Sequence, residues 1–222
     1  MDPEQHAAIR DSLRKGLIVP VFYNEDYNTC ESVVSICFEE GIEMFELTNR
    51  GAMAASIFER LQKLVQSAYP EKSLGIGTIK TREEAEKFIE FQPAFVVSPI
   101  VNIEVAAVCA KKNTAWMPGC MTPTEIHLAS SNGASVIKIF PASVVGPSYV
   151  KAIKAVFPDI YIMPTGGIGA DKSVLQQWFE AGVLCVGMGS ELLDRDLVKN
   201  KKWNELRQKI KHARQLAISC TS

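Results

Sequence analysis

Residues 115–168 read AWMPGCMTPTEIHLASSNGASVIKIFPASVVGPSYVKAIKAVFPDIYIMPTGGI. Three short apolar, β-rich runs at 115–117, 136–139 and 160–163 are separated by stretches with helical spacing. The first of those stretches opens on Thr122-Pro123-Thr124-Glu125, a hydroxyl followed three residues later by a carboxylate, which is a helix-start signal. The segment therefore reads strand, helix, strand, helix, strand.

The same unit recurs along the chain. Runs at 17–22, 44–47, 73–77, 95–97 and 183–186 bring the expected strands to eight. Between them lie helical stripes such as Met53, Ile57, Leu61 and Leu64, and a second capping signal at Thr81-Arg82-Glu83-Glu84. Alternation of this kind requires parallel strands with right-handed crossovers, so the choices are an open doubly wound sheet or a closed barrel. Eight near-equal units favour a (β/α)8 TIM barrel, one α/β domain over residues 1–222, with an extra N-terminal helix at 3–15. A final helix at 203–217 places Trp203, Leu206, Ile210 and Ala213 on one stripe.

Composition narrows the partners. The 24 basic and 25 acidic residues balance, which is unlike a nucleic-acid binder and points to a small-molecule partner. The start, Met1-Asp2-Pro3-Glu4-Gln5-His6, is polar, and no apolar run approaches the ~18 residues of a membrane span, so a cytoplasmic protein without membrane contact is expected. Six cysteines without a C-x-x-C pair predict neither disulfides nor structural zinc. His6, His127 and His212 stand alone on helix-like segments, so neither a metal nor any other cofactor is expected.

The chemistry lies at the C-terminal ends of the strands, where barrels place it. Lys138 sits inside Ser135-Val136-Ile137-Lys138-Ile139-Phe140-Pro141, an otherwise buried strand. A buried ammonium costs several kcal/mol unless paired or neutralised, and a desolvated neutral lysine is the nucleophile that forms Schiff bases with ketones. The alternative is a lysine at the strand end extending into solvent. Glu46 alternates with Met44 in its strand, so if Met44 points into the barrel Glu46 does too, and the carboxylate is then either catalytic or a structural partner of Lys138 or Arg50. Thr165-Gly166-Gly167-Ile168 and Gly189-Ser190 are glycine-rich turns after the last two strands, suited to an anion such as a phosphate. Lys172-Ser173 is no P-loop, because Asp171 stands where that motif requires glycine.

These residues resemble the KDPG/KHG aldolases, class I enzymes acting on 2-keto-3-deoxy-6-phosphogluconate and 4-hydroxy-2-oxoglutarate. The likeness rests on Gly41-Ile-Glu-Met-Phe-Glu46-Leu-Thr-Asn-Arg50, Gly75-Ile-Gly77-Thr78, Pro118-Gly119-Cys-Met-Thr122-Pro-Thr-Glu125 and Lys138-Ile-Phe140-Pro141-Ala142. Pro164-Thr-Gly-Gly-Ile168 and Gly187-Met-Gly-Ser190 complete it, in order from about residue 17 to 193. The resemblance implies a homotrimer, with Lys138 as the Schiff-base lysine, Glu46 as general acid/base and Arg50 as the ligand of the substrate carboxylate. It further implies that Thr78, Pro118, Phe140 and Thr165 line the pyruvate end, and Gly166, Gly167, Gly189 and Ser190 the phosphate end. The implied substrate is a 2-oxo acid cleaved to pyruvate and an aldehyde.

Several positions depart from the pattern. Tyr23-Asn24 stand where many relatives have a basic residue, Ile100 where glycine is common, and Asn49 where the residue is usually apolar. Lys80 reads either as an added contact to an acidic substrate or as a solvated helix-start lysine. Two other functions fit the same residues: a phosphosugar isomerase or epimerase using Glu46 and Lys138 as acid and base, and a non-catalytic ligand-binding barrel.

Overall fold

The computed structural model describes residues 3–221; Met1 and Asp2, part of the polar start, lie outside the described residues. Ten helices and nine strands alternate among the described residues: α1(Pro3–Gly16), β1(Ile18–Phe22), α2(Tyr27–Glu39), β2(Met44–Thr48), α3(Ala54–Ala68), β3(Ser73–Gly77), α4(Arg82–Ile89), β4(Phe95–Val97), α5(Ile103–Lys111), β5(Ala115–Met117), β6(Gly119–Cys120), α6(Pro123–Ser131), β7(Ile137–Ile139), α7(Ala142–Val156), β8(Ile162–Pro164), α8(Lys172–Glu180), β9(Val186–Met188), α9(Arg195–Lys199) and α10(Trp203–Ser219). All strand pairs are parallel, in two curled sheets ordered β5-β4-β3-β2-β1-β9 and β6-β7-β8. A parallel bridge from Thr165 to Gly187 joins β8 to β9, and Ser135 N donates to Trp116 O at 2.8 Å between the other pair of sheet edges.

The expected strands differ from the observed ones in ways with local causes. Strand one begins at Ile18 because Leu17 has φ +61, a left-handed conformation that ends α1 and cannot continue a strand. The expected fifth strand is β5 at its expected bounds, and a short unexpected β6 follows it past Pro118, which has no N–H to give the ladder. The runs expected at 160–163 and 183–186 form strand only from Ile162 and Val186. Their first residues approach on single bonds, Ile137 N to Tyr161 O and Leu184 N to Ile162 O, each 2.8 Å. In α3 the buried stripe is Ala54, Ile57, Phe58, Leu61 and Val65, with Met53 exposed, so the expected stripe is rotated by part of a turn.

Both predicted capping boxes form, Thr81 with Glu84 and Thr122 with Glu125. Helix α10 buries Leu206, Ile210, Ala213 and Ala217 along one stripe. Burying each large aliphatic residue there contributes roughly 1.5–3 kcal/mol.

Strand pleating sorts the core into two clusters. Phe45, Leu47, Trp116, Ile137 and Val186 pack outward against the helices. Their sequence neighbours Val19, Met44, Met117, Val136, Met163 and Cys185 face the opposite way, closed off below by Ile9 and Leu13 of α1. Side chains two residues further along those strands share the inner face. That rule delivers Glu46 after Met44, Lys138 after Val136 and Thr165 after Met163.

Candidate active site

Glu46 and Lys138 meet inside the strand layer. Their side chains are 1% and 7% exposed, and Glu46 Oε1 lies 3.6 Å from Lys138 Nζ. Neither oxygen of Glu46 has a hydrogen-bond partner, and the lysine amine lies 5.4 Å from the centre of the Phe140 ring. Backbone pairing fixes both side chains: Glu46 sits between Val21 and Gly75, and Lys138 between Gly119 and Met163, its N–H donating to Pro118 O at 2.9 Å. An amine beside an unsatisfied carboxylate in a water-poor interior has a proton-transfer partner at hand, and no solvent shell shields either group. The solvated alternative for Lys138 does not hold.

Glycines make the space. A Cβ at Gly77 would overlap the Glu46 carboxylate, and one at Gly187 would overlap the Thr165 hydroxyl, itself buried without a partner. Thr78, directly after Gly77, has φ +63, a conformation costly for a β-branched residue and a mark of backbone held at the mouth of the site.

A cavity of about 410 Å³ is lined by Val21, Phe22, Tyr23, Arg50, Phe140, Thr165, Gly166, Gly167, Gly189, Ser190, Glu191, Leu193 and Arg195; Glu46 and Lys138 are not among its lining residues, and the nearest lining positions in their strands' direction are Arg50 and Phe140. It gathers Arg50, Phe140, Thr165 and all four residues expected at the phosphate end. Gly166 (φ +101) and Gly167 (φ +73) are both left-handed, so bare backbone faces the opening, and a Cβ at Gly167 would come within 2.7 Å of Ser143 Cβ. Thr78 and Pro118 do not line this cavity: Thr78 follows Gly77 past the C-terminal end of β3, and Pro118 lies between β5 and β6, its carbonyl accepting from Lys138 N. A larger cavity of about 670 Å³ between α4 and α5 is lined by exposed ion pairs such as Arg82–Glu86 and Lys112–Glu90 and holds no buried amine–carboxylate pair.

Two departures noted in the sequence brace the Arg50 loop. Asn49 N donates to Gly77 O at 2.8 Å and Asn49 Nδ2 to Glu84 Oε1 at 3.3 Å, tying the loop to the start of α4. On the other side the Tyr23 ring fills the space over Gly51 that any side chain would occupy. Lys80 is exposed and enters only through its backbone, and Ile100 is exposed. Sequence reasoning did not find Tyr23, Glu191 or Arg195 as lining residues. Arg195 opens α9 five residues past Ser190, and no motif marks that short helix.

Other nucleophiles are set aside by their surroundings. Burial pushes the Cys30 thiol up to about 11 and those of Cys109 and Cys120 to about 12, which keeps them protonated at neutral pH. Among the described residues no group of three His, Cys, Asp or Glu is placed to hold a metal ion. His127 and His212 are exposed, whereas His6 is half-buried against Ser135 Oγ at 3.5 Å.

The model of the family described as KDPG and KHG aldolase matches residues 9–209. The chain belongs to this family. A 2-dehydro-3-deoxy-6-phosphogalactonate aldolase of Escherichia coli is 37% identical over 130 residues, 58% of this chain and 62% of that protein, so the alignment spans under two thirds of that relative. A probable 2-dehydro-3-deoxy-6-phosphogalactonate aldolase of Rhizobium meliloti is 34% identical over 163 residues, 73% of this chain and 74% of that protein. Among solved structures, the KDPG aldolase of Legionella pneumophila, with pyruvate captured at low pH as a covalent carbinolamine intermediate, aligns with TM-score 0.81 at 25% identity, covering 91% of this chain and 96% of that one. The family is one of carbon–carbon lyases. No helix of this member, among the described residues, is long and apolar enough to cross a membrane.

Proposed function

We propose that this family member is a class I aldolase in which Lys138 is the Schiff-base nucleophile and Glu46 the general acid/base. The substrate is a 2-keto-3-deoxy (6-phospho)sugar acid or 4-hydroxy-2-oxoglutarate, cleaved reversibly to pyruvate and an aldehyde, which is glyceraldehyde 3-phosphate from a phosphorylated six-carbon acid and glyoxylate from the latter. The observation that carries the proposal is the 3.6 Å approach of Lys138 Nζ to Glu46, whose oxygens have no other partner.

Neutral Lys138 adds to the C2 carbonyl to give a carbinolamine, and loss of water leaves an iminium. Glu46, directly or through a water, takes the proton of the C4 hydroxyl as the C3–C4 bond breaks. The bonding electrons pass into the iminium, giving an enamine of pyruvate and a free aldehyde. Protonation of C3 and hydrolysis release pyruvate and restore the amine. Arg50 holds the substrate carboxylate, Thr78, Pro118, Phe140 and Thr165 enclose the pyruvate portion, and Gly166, Gly167, Gly189 and Ser190 receive the phosphate. An isomerase using the same pair needs no covalent intermediate, which separates the two functions by experiment. Borohydride reduction with pyruvate is expected to add a reduced pyruvyl group to Lys138 and nothing to Lys138→Ala. An unmodified wild-type Lys138 would remove the proposal.

The same proposal takes the two curled sheets as a single closed (β/α)8 barrel domain over residues 1–222, with α1 as an added helix beneath it. The Thr165–Gly187 bridge and the Ser135–Trp116 and Lys138–Pro118 hydrogen bonds support closure at both seams. A cytoplasmic homotrimer belongs to it as well, and sedimentation velocity at micromolar concentration tests the trimer.

A further inference from the structure

Arg195 stands out among the cavity residues because nothing in the proposed mechanism uses it. The lining holds two cations, Arg50 and Arg195, and one carboxylate, Glu191. Among the described residues neither arginine has a carboxylate within 4.0 Å. Two acids flank Arg195 in sequence: Asp194 accepts from Asp196 N and Leu197 N at 2.9 and 3.2 Å and pairs with Lys209 at 3.3 Å, and Asp196 forms no ion pair with Arg195. That cap fixes the backbone of Arg195 at the first turn of α9, and its guanidinium forms no ion pair with Asp194, Asp196 or Glu191. An exposed lysine or arginine without a partner is ordinary. This one lines the same cavity as the two glycine-rich turns.

The strand order gives the second observation. β1 and β9 are hydrogen-bonded neighbours, with Pro20 opposite Met188, so the ends of these two strands form one corner of the cavity. On the β1 side that corner carries Val21, Phe22 and Tyr23, none of them cationic. On the β9 side, past Gly189 and Ser190, it carries Arg195. Positive charge at the phosphate end is thus supplied from the ninth strand's loop.

We infer that Arg195 is a specificity-determining residue that binds the distal phosphate of the substrate, so that the cavity selects acids charged at both ends, with Arg50 at one end and Arg195 at the other. This rests on the aldolase proposal and deepens it. The planar guanidinium donates to two phosphate oxygens at once, which an ammonium does as a point charge only.

The test compares kcat/KM for a 2-keto-3-deoxy-6-phospho sugar acid with that for the same acid lacking phosphate, in wild type, Arg195→Gln and Arg195→Lys. The wild type is expected to favour the phosphorylated acid. Arg195→Gln is expected to lower that preference at least about tenfold, the effect of losing even one of its charge-assisted hydrogen bonds, and Arg195→Lys to restore part of it. A wild type without the preference, or an Arg195→Gln variant that keeps it, overturns the inference. Pyruvate trapping on wild-type Lys138, run alongside, tests the aldolase proposal separately: a trapped lysine with an unchanged preference removes only Arg195, and an untrapped one removes both.

Discussion

Gly77 and Glu46 occupy adjoining space with no room for a methyl group, since a Cβ at position 77 would overlap the carboxylate. The glycine is therefore part of what holds the Glu46 carboxylate against Lys138. Gly77→Ala is expected to push Glu46 out of line and lower kcat about a hundredfold, the effect of roughly 1 Å of misplacement, while overpacking costs about 1–3 kcal/mol of stability. Steady-state assay of pyruvate release and urea denaturation check the two effects, and wild-type kcat in the alanine variant would contradict the account.

The buried pair is predicted to be kept for chemistry and not for stability. Lys138→Met leaves the Glu46 charge enclosed without compensation, which costs about 3–5 kcal/mol, and Glu46→Leu does the same to the lysine. The double variant Glu46→Leu/Lys138→Met removes both charges and is expected to regain most of that loss, whereas all three variants lack aldolase activity. Denaturant unfolding of the four proteins closes the double-mutant cycle; simple additivity of the single losses would refute the prediction.

Glu125 links stability to pH through its capping box. Its carboxylate accepts from Met121 N and Thr122 N at 2.8 Å each, and these bonds hold its pKa below the ordinary value of 4.5. A group whose folded value lies below its unfolded one contributes stability that is complete above 4.5 and is lost as pH falls through the folded value. Glu125→Gln is thus expected to melt below the wild type at pH 7, by the equivalent of about 1 kcal/mol, and the gap should narrow as the pH drops under 4.5. Equal melting-temperature differences at both ends of that range would show that the charge plays no part.

Much of this was legible in the residues. The strand–helix alternation, both capping boxes and the inward alternation of Met44 with Glu46 follow from neighbours within a few positions, and the structure keeps all of them. Strand edges were less legible where backbone conformation overrides apolar character, as at Leu17 with its left-handed φ. The roles of Asn49 and Tyr23 were hidden for another reason. Each is explained by a group far away in the chain, Glu84 and Gly51 respectively.

The amino-acid order alone set which side chains face inward, because strand pleat and helix period are local properties of the backbone. It placed a lysine and a carboxylate on inner faces without saying how near they come. The tertiary arrangement decided that they meet at 3.6 Å, that a glycine must stand beside them, and that Arg195 shares a cavity with Arg50. Such distances depend on how strands far apart in sequence are stacked side by side, and no periodicity within one segment encodes that.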